Sequence, residues 1–483
     1  MEIIRLVLGL ALPWILGVAL MIAVRPPERS SGLPGEGAWI IGAGYLAGAF
    51  LLTLWMRALS LAGIPFGVAA IALPLVVMTA VLAAFAWRAA PASGLAVGGA
   101  LRALTTPPVM QRIARIAWWA IIGWLALRFI LLGIELGLRP LYPWDAWIQW
   151  ATKARVWYEL RTIAPFARAE AWFAADGALY FDASPEYPPT MPLLQAWTAL
   201  ALGRWDDALM NWPWWQIAVG LTLAIYGGLR SLGVAALPAL AGAFFVASLP
   251  LANAHVALAG YADLPMAAYY SVAALAVLRW TRYRRWHDAT TAAFFAVACS
   301  QIKNPGIIWT LTLLPGIAVA WWPRRGLRVA GVSFAAAALL LAFLAQTHPV
   351  LLNYRLHLDF DPQWAALGRS YFLLGNWHLL WYGAIAAAVL AYRQLLSPPL
   401  APVTMIAAAG ALFLFFVFGF TNARQWVADQ TTVNRASLHF APLAVIFMML
   451  AFDAFSRRWQ AAADPAPAVH PAPAAATGAP IGA

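Results

Sequence analysis

The feature that most constrains this chain is a succession of apolar runs, each about as long as a helix that crosses a bilayer. They lie near 3–24, 38–59, 64–87, 116–138, 208–229, 233–251, 263–279, 327–346, 371–392, 400–420 and 437–456. A longer stretch, 289–322, is broken by Lys303-Asn304-Pro305-Gly306. Runs of this length read as transmembrane helices. At 63% hydrophobic and 10% charged residues, the chain lies far from the soluble norm of about a quarter charged. The expected fold class is an all-α polytopic membrane protein. The first run lacks a basic leader and a small-residue cleavage site, so it is expected to be retained as a helix.

The net charge of +12 is scattered in short groups between the runs, which excludes a nucleic-acid partner and reports topology instead. Arg88, Arg102, Arg112 and Arg115 share one connection. Arg279, Arg282, Arg284 and Arg285 share another, Arg324, Arg325 and Arg328 a third, and Arg457 and Arg458 follow the last run. The positive-inside rule places all of these in the cytoplasm. The connections 140–207, 347–370 and 421–436 hold most of the acids, among them Asp145, Glu159, Glu170, Asp176, Asp182, Glu186, Asp359, Asp361 and Asp429, and face the other way. The stretch 289–322 must then cross and return, with Lys303 to Gly306 at its outer tip. The thirteen-residue stretch 191–203 is too short to span and reads as an interfacial or re-entrant helix.

The count is thirteen spans in a bacterial inner membrane. Residues 1–115 form N-terminal helices with a basic connection, 116–456 the main transmembrane unit, and 457–483 a disordered Ala/Pro-rich cytoplasmic tail containing His470. Cys299 is the chain's one cysteine, which rules out an internal disulfide framework or a cysteine metal cluster.

Within the outer connections, YPWDAWIQWATKARVWYE places Asp145 among tryptophans at a membrane boundary, with Lys153 eight residues on. A carboxylate there is costly to desolvate and reads as functional by default. Ser184 to Pro189, SPEYPP, adds Glu186 and Tyr187, and GYADLP adds Asp263 at the head of an apolar run. On the basic side stand Lys303 and, in TTVNRASLHFAP, Arg435 and His439 one helical turn apart. Only two of the 31 basic residues are lysines, Lys153 and Lys303. Acids facing fixed cations describe a group transfer with a phosphate leaving group: a base accepts the proton of an attacking hydroxyl, and cations hold the departing anion. The plain alternatives are helix N-caps for Asp145 and Asp263, interfacial anchors for Lys303, Arg435 and His439, and an aromatic belt for Trp212-Pro213-Trp214-Trp215.

The Asp of PWDAW, the YPP of EYPP, the Asp of GYADLP, and KNPG read as a KNEG element with Pro305 in place of Glu resemble, in that order, the GT-C glycosyltransferases. The likeness is to the bacterial protein O-mannosyltransferase and aminoarabinose lipid A transferase branch. The resemblance covers roughly 116–456. It implies a GT-C-type fold, an outward-facing site and inverting transfer from a polyprenyl-phosphate-linked sugar to a lipid, glycan or protein acceptor. It also implies Asp145 as base, Asp263 as a second carboxylate, Glu186 beside the acceptor, and no required cofactor or metal. Lys303, Arg435, His439, Lys153 and Tyr187 are the expected substrate and phosphate contacts. The rival readings are a lipid or solute transporter or flippase, an O-antigen ligase or polymerase using the same donors, and a non-catalytic membrane subunit.

Overall fold

The computed structural model describes residues 1–25, 33–89, 111–322, 325–351, 354–355 and 360–463. Arg102, Arg324, Asp359 and the tail from 464, with His470, lie outside them. Among the described residues the chain is an all-α protein whose only strands are two-residue pairs, Phe166–Ala167 with Tyr180–Phe181 and Val350–Leu351 with Tyr354–Arg355.

Six helices are long and apolar enough to cross a membrane: Glu2–Ala23, Glu36–Leu61, Val68–Arg88, Arg112–Leu138, Ala401–Phe420 and Thr431–Ala463. Ala236–Ser248 and Pro250–Ala257, bent by 56° at Pro250, make a seventh if counted as one span. Trp212–Ser231 and Asp263–Tyr283 match that reach, with 20 and 21 residues, or about 30 Å at 1.5 Å per residue. In the Asp263 helix every residue from Asp263 to Arg279 is buried, so it forms the centre of the bundle. The expected 371–392 span is instead a π-turn, Arg369–Leu373, followed by the eleven-residue helix Leu380–Leu390. Gly375 and Asn376 interrupt it, and the Asn376 carbonyl accepts the amide of Leu251. The 289–322 stretch divides into Trp286–Ser300, Gly306–Leu311 and Leu314–Trp321 around the KNPG turn. The 191–203 segment forms the helix Thr190–Leu202, buried at all thirteen positions and so enclosed by protein rather than lying with one face in lipid.

Lipid tails are as apolar as leucine, so membrane helices associate mainly through close packing at small residues. The first two helices cross in this way. A Cβ on Gly17 would lie 1.7 Å from the Gly44 carbonyl oxygen, and one on Gly48 would lie 1.9 Å from that of Pro13. Gly42 presses in turn on the Trp212 helix, where a Cβ would meet the Ala224 amide at 2.4 Å.

Contacts between connections sort them into two ends. At one, Arg279, fully buried, grips Glu36 through two nitrogens at 3.0 Å each and Asp288 at 2.8 Å, while Arg25 also pairs with Glu36. At the other, Glu2 meets Arg204 at 3.3 Å, and Ser60 bonds Thr162 at 3.0 Å. These groupings join the N-terminal helix ends to the two faces expected from the arginine distribution.

Gly48→Val should therefore lower stability by about 1–3 kcal/mol through overpacking. Gly123→Ala, where nothing lies within 4 Å of the added carbon, should change it by less than about 0.5 kcal/mol. Thermal unfolding of the two variants in detergent checks this, and equal melting temperatures would show that the Gly17–Gly48 crossing does not hold the helices together.

Candidate functional site

The site forms where several helices end. Asp145 follows the Arg112 helix and precedes the π-helical turn Ala146–Trp150, from which its side chain accepts no capping bond. Asp263 is the first residue of its helix and likewise does not cap it. The N-cap alternative thus describes neither carboxylate; both reach across to cations.

Asp263 is fully buried and receives three donors. Lys303 Nζ lies 2.6 Å from its Oδ1, His439 Nε2 2.8 Å from the same oxygen, and Arg435 Nε 2.8 Å from Oδ2. Trp309 Nε1 stands 3.0 Å from His439 Nδ1. An indole N–H can only donate, so Nδ1 is the acceptor and the ring is a neutral tautomer whose Nε2–H donates to Asp263. Arg435 then extends outward, where its Nη2 meets Asp145 Oδ2 at 2.5 Å and its guanidinium lies over the Tyr261 ring at 4.4 Å. Two carboxylates thus face two permanent cations and a neutral imidazole. Burial is complete at Asp263, with 0% side-chain exposure, and partial at Arg435 and Asp145, with 24% and 20%.

The loops are held in register by backbone packing. Gly260 has φ of 122°, a conformation open to glycine, and a Cβ there would come 2.3 Å from the Cβ of Ala146. GYADLP and PWDAW are therefore pressed directly together. Trp214, expected in an aromatic belt, is fully buried and donates to the Tyr261 carbonyl at 2.7 Å. Arg57 bonds Gln301 Oε1 at 2.7 Å and Thr190 Oγ1 at 2.5 Å, tying the second helix to both the KNPG turn and the helix after EYPP.

Comparison with family models, with curated proteins and with solved structures finds no match to this chain. The site is therefore read from its own geometry.

Of the expected residues, Asp145, Asp263, Lys303, Arg435 and His439 come together in one network. Lys153, Glu186 and Tyr187 form a second group beside it. Lys153, 1% exposed, donates to the Ser184 carbonyl at 2.6 Å, pairs with Asp182 at 3.4 Å and lies about 6 Å from the rings of Trp150 and Tyr187, which stack on each other. Glu186 is ion-paired with Arg168 at 3.0 Å. Because Trp150 closes the turn that Asp145 begins, this group braces the turn from below. Among the described residues no cluster of three or more His, Cys, Asp or Glu side chains is arranged to hold a metal ion.

Sequence reasoning passed over four contributors. Arg57 is the one charge inside the 38–59 run, which is itself a signal. Asp182 was one of many loop acids, and Trp309 one of 27 tryptophans. His255, buried, packs its ring 5.2 Å from Tyr261 and leaves Nδ1 without a partner; its position between two runs carried no distinguishing pattern.

Burial pushes the Asp182 carboxyl above its ordinary pKa, opposed by the Lys153 charge, and pushes Lys153 below its own. Removing Lys153 leaves a buried carboxylate with no counter-charge, at a cost of about 3–5 kcal/mol. Lys153→Met should therefore expose 180–187 to proteolysis at neutral pH. A raised acid pKa contributes stability that is present below it and lost as pH rises through it, so protection should return as the pH falls and Asp182 takes up a proton. Adding Asp182→Leu should restore it at all pH. Hydrogen exchange across the loop measures the effect, and pH-independent protection in Lys153→Met would refute it.

Proposed function

We propose that this chain is a membrane glycosyltransferase of GT-C type that transfers a sugar from a polyprenyl-phosphate carrier to an acceptor hydroxyl at the membrane boundary. The observation that carries this reading is the graded network: a buried Asp263 anchors two cations, and the outermost cation meets a partly exposed carboxylate.

In the step proposed, the acceptor oxygen attacks the anomeric carbon from the face opposite the phosphate. The new C–O bond forms as the bond from carbon to phosphate oxygen breaks. The acceptor proton passes to Asp145, and the bonding electron pair leaves with the lipid phosphate, whose charge Arg435 and Lys303 receive. Arginine suits this through its planar fork and lysine through a point charge. Asp263 touches no reactant; it is a positioning residue that fixes the guanidinium through Nε and the ammonium through Oδ1.

A lipid carrier accords with the surroundings. An apolar groove of about 390 Å³, lined by Tyr371, Trp381, Ala407, Phe440, Ala444 and Phe447, begins one residue beyond His439 and follows the Thr431 helix away from the network. Tyr371 joins that groove to the site helix through Ser437 at 2.7 Å. The donor tail would lie there with its phosphate at Arg435, on the face the arginine distribution assigns to the exterior.

Asp145→Asn should lower transfer by about 10²–10⁴-fold, the usual worth of a general base, with the amount of protein in the membrane unchanged. Membranes carrying the protein, supplied with undecaprenyl-phosphate hexoses and pentoses, provide the assay. Full turnover by Asp145→Asn would remove this residue from the mechanism.

A further inference from the structure

Arg435 is shared. Its Nε and Nη2 belong to one guanidinium, yet they serve carboxylates from two different connections, Asp263 behind and Asp145 in front. The two contacts differ in kind. Asp263 has no solvent exposure, so losing Arg435 would leave its Oδ2 buried without a donor even with Lys303 and His439 on Oδ1. Asp145 is partly exposed and exchanges Arg435 for water at little cost, since such pairs are worth about 0–1 kcal/mol. While Asp145 Oδ2 faces Nη2, that oxygen is occupied and cannot at the same time meet an acceptor hydroxyl.

Resting on the glycosyl-transfer reading, we propose that Arg435 is a latch that the donor opens: the incoming phosphate displaces Asp145 from Nη2, and only then is the Asp145 carboxylate available as a base. The Asp263 contact at Nε holds the guanidinium in place while its outer edge changes partner, from a carboxylate to a phosphodiester whose two unesterified oxygens suit the guanidinium fork. Binding is thereby ordered, with the donor phosphate ahead of proton removal, and water at the site meets no competent base until the lipid phosphate is seated. The latch also sets a requirement on the donor. A neutral glycoside has no charge with which to replace Asp145, so the site selects phosphate-linked sugars before any sugar contact is made.

The test uses the full-length protein in nanodiscs and undecaprenyl phosphate, the carrier without its sugar, so that no turnover intrudes. Trp144 and Trp147, both half or more exposed, flank Asp145 and supply the fluorescence signal. Asp145→Asn removes the competing charge and should bind undecaprenyl phosphate about two- to fivefold more tightly than the parent protein, the range expected for releasing one partly exposed ion pair. Asp145→Ser should do the same, which guards against a misfolded first variant. The parent protein should show a tryptophan emission change on binding that both variants lack, since their latch is already open; a merely structural Asp145 would give the same change in all three. Equal or weaker affinity in both variants, with binding intact, overturns the latch and leaves the glycosyl-transfer reading standing. Failure of all three proteins to bind the lipid phosphate overturns both.

Discussion

A carboxylate with no access to water must be met by donors on every side, and Asp263 is the group around which this structure closes. Its three partners come from distant parts of the chain: Lys303 from the broken hairpin, and Arg435 and His439 from the last helix. An isolated charge at that depth would cost several kcal/mol, so the three elements are bound to meet there. Their meeting places the ends of the Arg112, Asp263 and Thr431 helices at one level. The rest of the site follows from that level, because Asp145 stands where Arg435 emerges.

The N-terminal helices belong to this arrangement. Their glycines bring helix backbones into direct contact with each other and with the Trp212 helix. Arg57, near the C-terminal end of the second helix, then bonds both Thr190 and Gln301. At the opposite end Glu36 from the same helix receives Arg279 from the central one. One helix is thus clamped to the central core by an ion network at one end and to the site loops at the other. Its position fixes the spacing between the KNPG turn and the helix after EYPP.

Much of this was legible from two simple signals. The length of the apolar runs foretold the helices, and the grouping of arginines foretold which connections share an end, including the return at Lys303. The convergence of Asp145, Asp263, Lys303, Arg435 and His439 followed from that grouping, because each lies near the same end of its run as the others. Three-dimensional partnership was not legible. Nothing in YPWDAWIQWATKA tells that Asp145 faces Arg435 while Lys153 turns to Asp182, because both partners lie well outside that stretch. The 371–392 run also misled, since its apolar length conceals a Gly375-Asn376 break that only the contact with Leu251 makes evident.

Breaks in the helices explain why such a site can exist at this boundary. An unbroken span pairs its own amides and offers a ligand only side chains. Here Pro250 stands at the 56° bend between Ala236–Ser248 and Pro250–Ala257, and Pro305 stands in the turn that carries Lys303 into the network. At the first, Asn253 occupies the carbonyls that the bend releases, donating to Ala247 and Leu249, and also accepts from Arg128 at 2.8 Å. At the second, the turn delivers the one lysine able to reach Asp263. Pro305 gives that turn no acid of its own, and among the described residues Asp263 is the carboxylate paired with Lys303. The ammonium is then held by one carboxylate, whose other oxygen is committed to Arg435, and both cations are aligned from behind by a single buried group.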